Sequence, residues 1–340
     1  MIGASQWLRM SSRWMPSGAL RAFGRPVALV FHGVAREIED PRLEINHLGL
    51  DDFVRIVKTL RANFDVLPLA ALDDVMEQPE RHPRAVFLTA DDGYRNTLTT
   101  AADILADLRL PWSLFVSTRH IETGEPNPLF LARLFLYFAP AGRYDIPYLP
   151  ASVRLDGARG GVARTTIRTL KQLEATKARE SIEAMKSVFS EVSLRGLIDR
   201  FPSERFLTWS EVTVLAKRGV EIGAHAHWHW PLNDAQTPEH VGQQVRLARD
   251  LVKQYAGACR NFAYPFGTAR DIAGAIWRTV RDAGFDHAFS TRSGTLDAGE
   301  NPWLLPRYAL TGRERNLAAL LPLLRTGNRR LARWQRRLAA

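Results

Sequence analysis

The residues best suited to chemistry are two adjacent carboxylates, Asp91 and Asp92, and two histidines four positions apart, His225 and His229. Asp91-Asp92-Gly93 closes the apolar run Ala85 to Leu88, which reads as a buried strand delivering its last residues to a site. Neighbouring carboxylates repel, and they coexist best when a cation lies between them or one stays protonated. Asp-Asp-Gly by itself also reads as a simple turn. The second stretch, Gly219 to Leu232, carries His225, His227 and His229 behind another short apolar run, Val220 to Ile222. A four-residue spacing lets His225 and His229 meet one ion from a single helical turn or tight loop, while His227 points elsewhere. Three histidines so close together also suit a solvated surface cluster. The repeated order of strand and then ligand-type residues favours a metal site. Two histidines, one carboxylate and open positions suit a catalytic divalent ion that acidifies water.

Together these stretches resemble the polysaccharide deacetylase family, carbohydrate esterase family four. Thr89-Ala90-Asp91-Asp92-Gly93 resembles its Thr-Phe-Asp-Asp-Gly motif, and His225 to His229 its second motif. Val30-Phe31-His32-Gly33-Val34 is similar to its opening strand, Thr208 through Leu232 to the approach to the histidines, and Phe262-Ala263-Tyr264-Pro265-Phe266-Gly267 to its third motif. The likeness spans roughly residues 26–125 and 205–310, in the family's order. It implies an α/β fold, a distorted (β/α) barrel of about seven parallel strands with a mainly helical insertion. It also implies metal-dependent removal of N-acetyl groups from an amino sugar in a polysaccharide, oligosaccharide or lipid-linked glycan precursor. Asp91 would be the general base and Asp92, His225 and His229 the ligands. Zinc is the first choice of ion, with cobalt, nickel or iron accepted by the same donors. Tyr264, Pro265 and Phe266 are the candidate substrate contacts, grouped with Asp271 as a residue that holds a site group in place.

Two departures from the family pattern concern proton transfer. Relatives commonly carry a Leu-x-His motif near the end of the barrel, where this chain reads Leu304-Leu305-Pro306-Arg307-Tyr308. Arginine does not give up a proton at neutral pH. His32, closing the first strand, and His287, opening the sixth, are the candidate acids. Ala263 stands where many relatives have an arginine that orients the base, and Arg307 is the candidate to supply that charge. Ala226 and Ala90 replace a Ser or Thr and a Phe, changes that bear on loop support. Two other functions fit the same residues: another C–N hydrolysis, such as deformylation of a lipid-linked amino sugar, and a non-catalytic carbohydrate-binding barrel.

The elements that must position these groups follow from hydrophobic patterning. The 340 residues suffice for one large barrel-like domain or two small ones, and a 46% hydrophobic composition provides a sizeable core. The single cysteine, Cys259, excludes an intramolecular disulfide and reads as a small buried hydrophobe. Strand runs at 27–31, 66–69, 112–117, 261–264, 287–291 and 303–307 alternate with helical patterns at 50–60, 97–108, 238–255 and 272–283, an order that argues for parallel strands with right-handed crossovers. Between about 124 and 205 the pattern lapses into a proline- and aromatic-rich irregular insertion, followed by a helix over roughly 163–189. The barrel domain is therefore set at 26–310.

The ends differ in character. Residues 1–25 interleave Trp7 and Trp14 with Arg9, Arg13, Arg21 and Arg25, which fits a frayed basic tail and a segment on an anionic membrane face equally. No apolar run there has the length of a secretory or membrane-spanning segment, so a cytoplasmic location, at the inner face of the membrane, is the expectation. Residues 311–340 hold eight arginines and one acid, Glu314, against a net charge of +10 for the chain. Leu331, Trp334 and Leu338 share one helical face, favouring an interfacial amphipathic helix over a solvated tail. Nucleic acid is the least favoured partner, because no recognition motif accompanies the charge.

Overall fold

The computed structural model describes residues 24–312 except 273. The basic segment proposed for 311–340 lies outside these residues from 313 onward, as do the first 23 positions of the basic N-terminal segment.

Twelve strands are present among the described residues: β1 Val27–Phe31, β2 Gly33–Ala35, β3 His47–Gly49, β4 Asp65–Leu67, β5 Ala85–Ala90, β6 Ser113–Val116, β7 Arg143–Tyr144, β8 Val153–Arg154, β9 Glu221–Ala224, β10 Asn261–Ala263, β11 His287–Phe289 and β12 Tyr308–Ala309. Seven of them run side by side in the order β11-β10-β9-β6-β5-β1-β12, with β4 added against the start of β5. Every pairing in this sheet is parallel. The sheet curls until its ends meet: Leu305 bridges to Phe289 of β11, and three residues later Tyr308 pairs with Leu29 of β1. One short segment thus closes the wall, and the expected run at 303–307 is reduced to that bridge and a two-residue strand.

Alternation along the strands separates two layers. In β5, Val86, Leu88 and Ala90 face the surrounding helices, whereas Ala85 and Phe87 face the interior with Phe115, Ala263, Phe289 and Leu305. Continuing the inner parity beyond Phe87 brings Thr89 and then Asp91 inward. The outer helices follow their patterns. Leu50–Asn63 buries Phe53, Ile56, Val57 and Leu60, and Thr208 with Glu211 forms a capping box on Trp209–Lys217. The 97–108 helix begins as a π-helical stretch, Thr97–Ala102, and the one expected from residue 272 starts only at Ile276.

The insertion departs most from its sequence reading. Its proline-rich opening contains a regular helix, Pro128–Phe138, with Asn127 as N-cap and Pro128 at the first position, where a missing N–H costs nothing. The single helix expected over 163–189 is two, Arg159–Leu170 and Ala175–Lys186. Long-range contacts stabilise the break. Asn233 donates to the Lys171 carbonyl, Trp230 and Gln236 donate to Leu173, and Gln236 accepts from the Ala175 N–H. These helices share a separate apolar cluster built on Phe135, Leu170, Ile182 and Met185.

Candidate metal centre and active site

The carboxyl ends of β5 and β9 lie two strands apart, separated by β6, and each passes directly into site residues. Asp91 donates its backbone N–H to Phe31 at the end of β1, and His225 donates its own to Val116 at the end of β6, at 3.0 and 2.9 Å. Both turns are held in left-handed backbone: Asp92 has φ 74°, Ala226 φ 57° and His229 φ 49°. For non-glycine residues these conformations are costly and persist where the surroundings over-determine them. Gly93 also has positive φ, and a Cβ there would lie 2.9 Å from Ile121.

Asp92, His225 and His229 are all buried, and one ligand atom from each lies within 4.8 Å of the others. Nε2 of His225 is 3.2 Å and Nε2 of His229 2.8 Å from Oδ1 of Asp92, which is buried and lacks a hydrogen bond of acceptable geometry. Each imidazole is fixed through its other nitrogen. His225 Nδ1–H donates to the Ala263 carbonyl at 2.7 Å, and His229 Nδ1 lies 3.0 Å from the Asn127 side-chain nitrogen. Because the Ala263 carbonyl only accepts, the neutral form of His225 turns a lone pair toward Asp92. Two lone-pair atoms so close call for a shared cation, and the donor set suits a divalent ion. The electrostatics favour an ionised Asp92: burial would raise its carboxyl, yet His229 and His225 hold it well below the usual range. Burial opposes charge on His225, but Asp91 and Asp92 outweigh it and raise its pKa. For His229 burial prevails over Asp92 and the shift is downward.

Asp91 sits beside this set, its Oδ2 4.0 Å from Nε2 of His225. Both of its oxygens accept from Arg307, at 2.7 Å each. Arg307 is fully buried, its guanidinium 5.6 and 5.7 Å from the ring centroids of Phe115 and Phe289, and it also donates to Thr89 Oγ1 and the Ser290 carbonyl. Burial alone would raise the Asp91 carboxyl, but Arg307 and then His225 outweigh it and keep the acid below its ordinary pKa. The cation that residue 263 lacks therefore reaches the aspartate from the closing segment.

The other expected residues divide. His32 lines the same cavity of about 310 Å³ as Asp91, Asp92, His225 and His229. His287 does not: it opens β11, at the amino end of a parallel strand, and its Nε2 is 2.7 Å from Asp73 and its Nδ1 3.1 Å from Asn261. It is removed as a candidate acid. Of the third motif, Phe266 lines the cavity and packs against His229 with ring centroids 4.9 Å apart. Tyr264 is a core residue whose hydroxyl donates to the Trp303 carbonyl, and neither it nor Pro265 contributes to the cavity wall. Asp271 touches no catalytic candidate. It pairs with Lys171 at 2.7 Å and with Thr268, and Lys171 in turn lies 4.0 Å over the Phe266 ring.

Among the cavity residues that were assigned no role from the sequence are four polar ones, Asn127, Arg133, Lys171 and Glu204. All come from the insertion, where no strand end marks a site, and only the Asn-Pro helix start at Asn127 was a local signal. Glu204 is buried, and that burial, opposed by Arg133 and reinforced by Asp92 and Glu44, pushes its pKa up to about 8.

Among solved structures, the chain is similar to the Streptococcus pyogenes deacetylase PplD in complex with acetate, at 14% identity over 88% of this chain and 97% of that one, with a TM-score of 0.56. IcaB from Ammonifex degensii gives 15% identity, 88% and 97% coverage and a TM-score of 0.54. A de-N-acetylase from Aggregatibacter actinomycetemcomitans gives 13%, 85% and 96%, and 0.52. At such identities the likeness is one of fold. No curated protein matches the chain in sequence. The polysaccharide deacetylase family model matches residues 78–288, more than half of the chain and the whole span from β5 through the histidine loop to β10, and the protein therefore belongs to the polysaccharide deacetylase family.

Proposed function

We propose that the protein is a metal-dependent N-deacetylase of an amino sugar within a glycan. The observation that carries this reading is the juxtaposition of a three-donor set with a separate, arginine-paired carboxylate in one cavity. Asp92, His225 and His229 would hold the ion, with zinc proposed first for two imidazoles and a carboxylate. When bound, it supplies Lewis acidity to an amide carbonyl and lowers the pKa of water.

The chain's own residues supply the proton traffic. Asp91, kept ionised by Arg307, accepts a proton from the attacking water. Arg307 fixes the carboxylate plane through two parallel bonds, so the base does not rotate away from its target. His32, on the same cavity wall, is the proposed donor to the departing amine. Phe266 and Lys171 form the side of the cavity beyond His229, where the sugar would rest. A non-catalytic binding barrel has no need of a carboxylate held by a fully buried arginine.

The test is acetate release from acetylated oligosaccharides by the protein reconstituted with zinc, beside a folded Asp91→Asn variant. Release that the variant lacks supports the reading. Formate release from a formylated amino sugar, without acetate release, replaces deacetylation by deformylation. A protein that holds one equivalent of ion and releases neither acid sinks the hydrolase. Lipid linkage of the substrate is a part of the proposal that rests on the basic terminal segments of the sequence, and sedimentation of the full chain with anionic vesicles addresses it.

A further inference from the structure

The cavity at the candidate site continues into a second one. Ile45, Arg133, Lys171 and Thr268 line both, and the second encloses about 490 Å³. Its wall carries six cationic side chains and a single carboxylate, Asp271. Two of the cations are already paired, Arg42 with Asp40 at 2.6 Å and Lys171 with Asp271 at 2.7 Å. Arg164, Arg168 and Arg270 form no ion pair with any described carboxylate, and Arg133 feels the charge of Glu204 without forming one.

Arg164, Arg168 and Arg270 are exposed, and the unfavourable part of the placement lies in repulsion along one helix face and in the burial of Arg133. Arg164, Arg168 and Lys171 follow one another at i, i+4 and i+7 along Arg159–Leu170 and the residue after it, so like charges share one helix face and destabilise it. Arg133 is largely withdrawn from water at the junction of the two cavities, where burial disfavours its charge. A concave wall that concentrates one sign of charge raises the local concentration of the opposite sign. Ile45 and Ile167 add apolar surface between the cations. The only aromatic ring in that wall, Tyr137, is covered by Arg42 at 4.8 Å, which leaves no open platform for stacking nucleobases.

We propose that this second cavity binds the phosphate or carboxylate groups of an acidic glycan, so that the amino sugar presented to Asp91 and Asp92 belongs to an anionic chain. The proposal rests on the deacetylase reading for the reaction, but not for the binding.

Calorimetry separates the two. The zinc-loaded protein would be titrated at low salt with a neutral chitin tetrasaccharide, an N-acetylglucosamine–glucuronate oligosaccharide and a phosphodiester-linked N-acetylglucosamine oligomer. At least one anionic ligand should bind about tenfold or more tightly than the neutral one, the scale expected for two or three partly exposed ion pairs. That advantage should shrink as salt rises. Arg164→Gln/Arg168→Gln should lose most of it, whereas Arg61→Gln/Arg81→Gln, which removes the same charge outside the cavity, should keep it. Whichever anion binds identifies the group recognised. Equal affinity for neutral and anionic ligands overturns the proposal, as does an equal loss in both double variants. A single-stranded oligonucleotide that binds as tightly, with the same dependence on Arg164 and Arg168, overturns it in favour of general polyanion binding. Anion-selective binding without acetate release would sink the deacetylase reading alone.

Discussion

Removing Arg307 should expose how much of the site's order depends on one ion pair. Arg307→Met keeps a side chain of similar length between Phe115 and Phe289 but deletes four hydrogen bonds, two of them to Asp91 at 2.7 Å. Both partners are buried, so the substitution strands a carboxylate away from water. Breaking a buried pair from one side costs about 3–5 kcal/mol, most of it the penalty on the charge left behind. For a domain of this size that is a fall in Tm on the order of 10 °C. If the penalty resides on Asp91, then Asp91→Asn added to Arg307→Met should restore roughly 2 kcal/mol, although Asp91→Asn alone is destabilising because it strands the arginine. The assay is urea unfolding of all four proteins after chelation, so that ion binding to the folded state does not enter. A loss below about 1 kcal/mol for Arg307→Met, or a double variant less stable than Arg307→Met, refutes the reasoning.

Three further outcomes are expected. Asp92→Ala and His229→Ala should each reduce zinc content from near one equivalent to a small fraction, measured by elemental analysis, while His287→Ala should leave it unchanged because its ring faces Asp73. Glu204 has a folded pKa of about 8, raised from an ordinary value of 4.5, so its contribution to stability is complete below pH 4.5 and is lost as pH rises through 8. Glu204→Gln should therefore flatten the decline in stability between those pH values, and an unchanged slope in pH-dependent urea unfolding contradicts the assignment. Gly223 lies in β9 between β6 and β10, where a Cβ would meet Phe115 at 2.5 Å and the Asn261 carbonyl at 2.7 Å. Gly223→Ala should cost about 1–3 kcal/mol, read in the same unfolding assay, because a strand backbone has little room to yield.

The parts of the site that were legible in the sequence are those written locally. Asp91, Asp92, His225 and His229 each follow a short apolar run, and a parallel sheet brings the ends of such runs together. The same rule, applied strictly, already excluded His287, which opens its run rather than closing it. Arg307 was found by asking which cation could stand in for Ala263, a question the motif itself posed. The insertion was opaque for a physical reason. A proline-rich stretch reads as irregular although proline suits the first position of a helix, as Pro128 shows, and the interruption at 171–174 depends on Trp230, Asn233 and Gln236 some 60 positions away. Tyr264 shows the limit of adjacency, since it lies two residues from Phe266 on a motif yet faces the core.

The closing segment also sets an order in time. Arg307 lies 216 residues beyond Asp91. At about 5–20 residues per second, a ribosome needs roughly 10–40 s to traverse that distance. Throughout this interval the nascent chain already holds both carboxylates, and later both histidines, but neither the guanidinium that orients Asp91 nor the strand that completes the wall. A chain released between His229 and Leu305 carries all three candidate ion ligands but neither Arg307 nor the closing segment, so the pairing that fixes Asp91 is among the last contacts this fold can form.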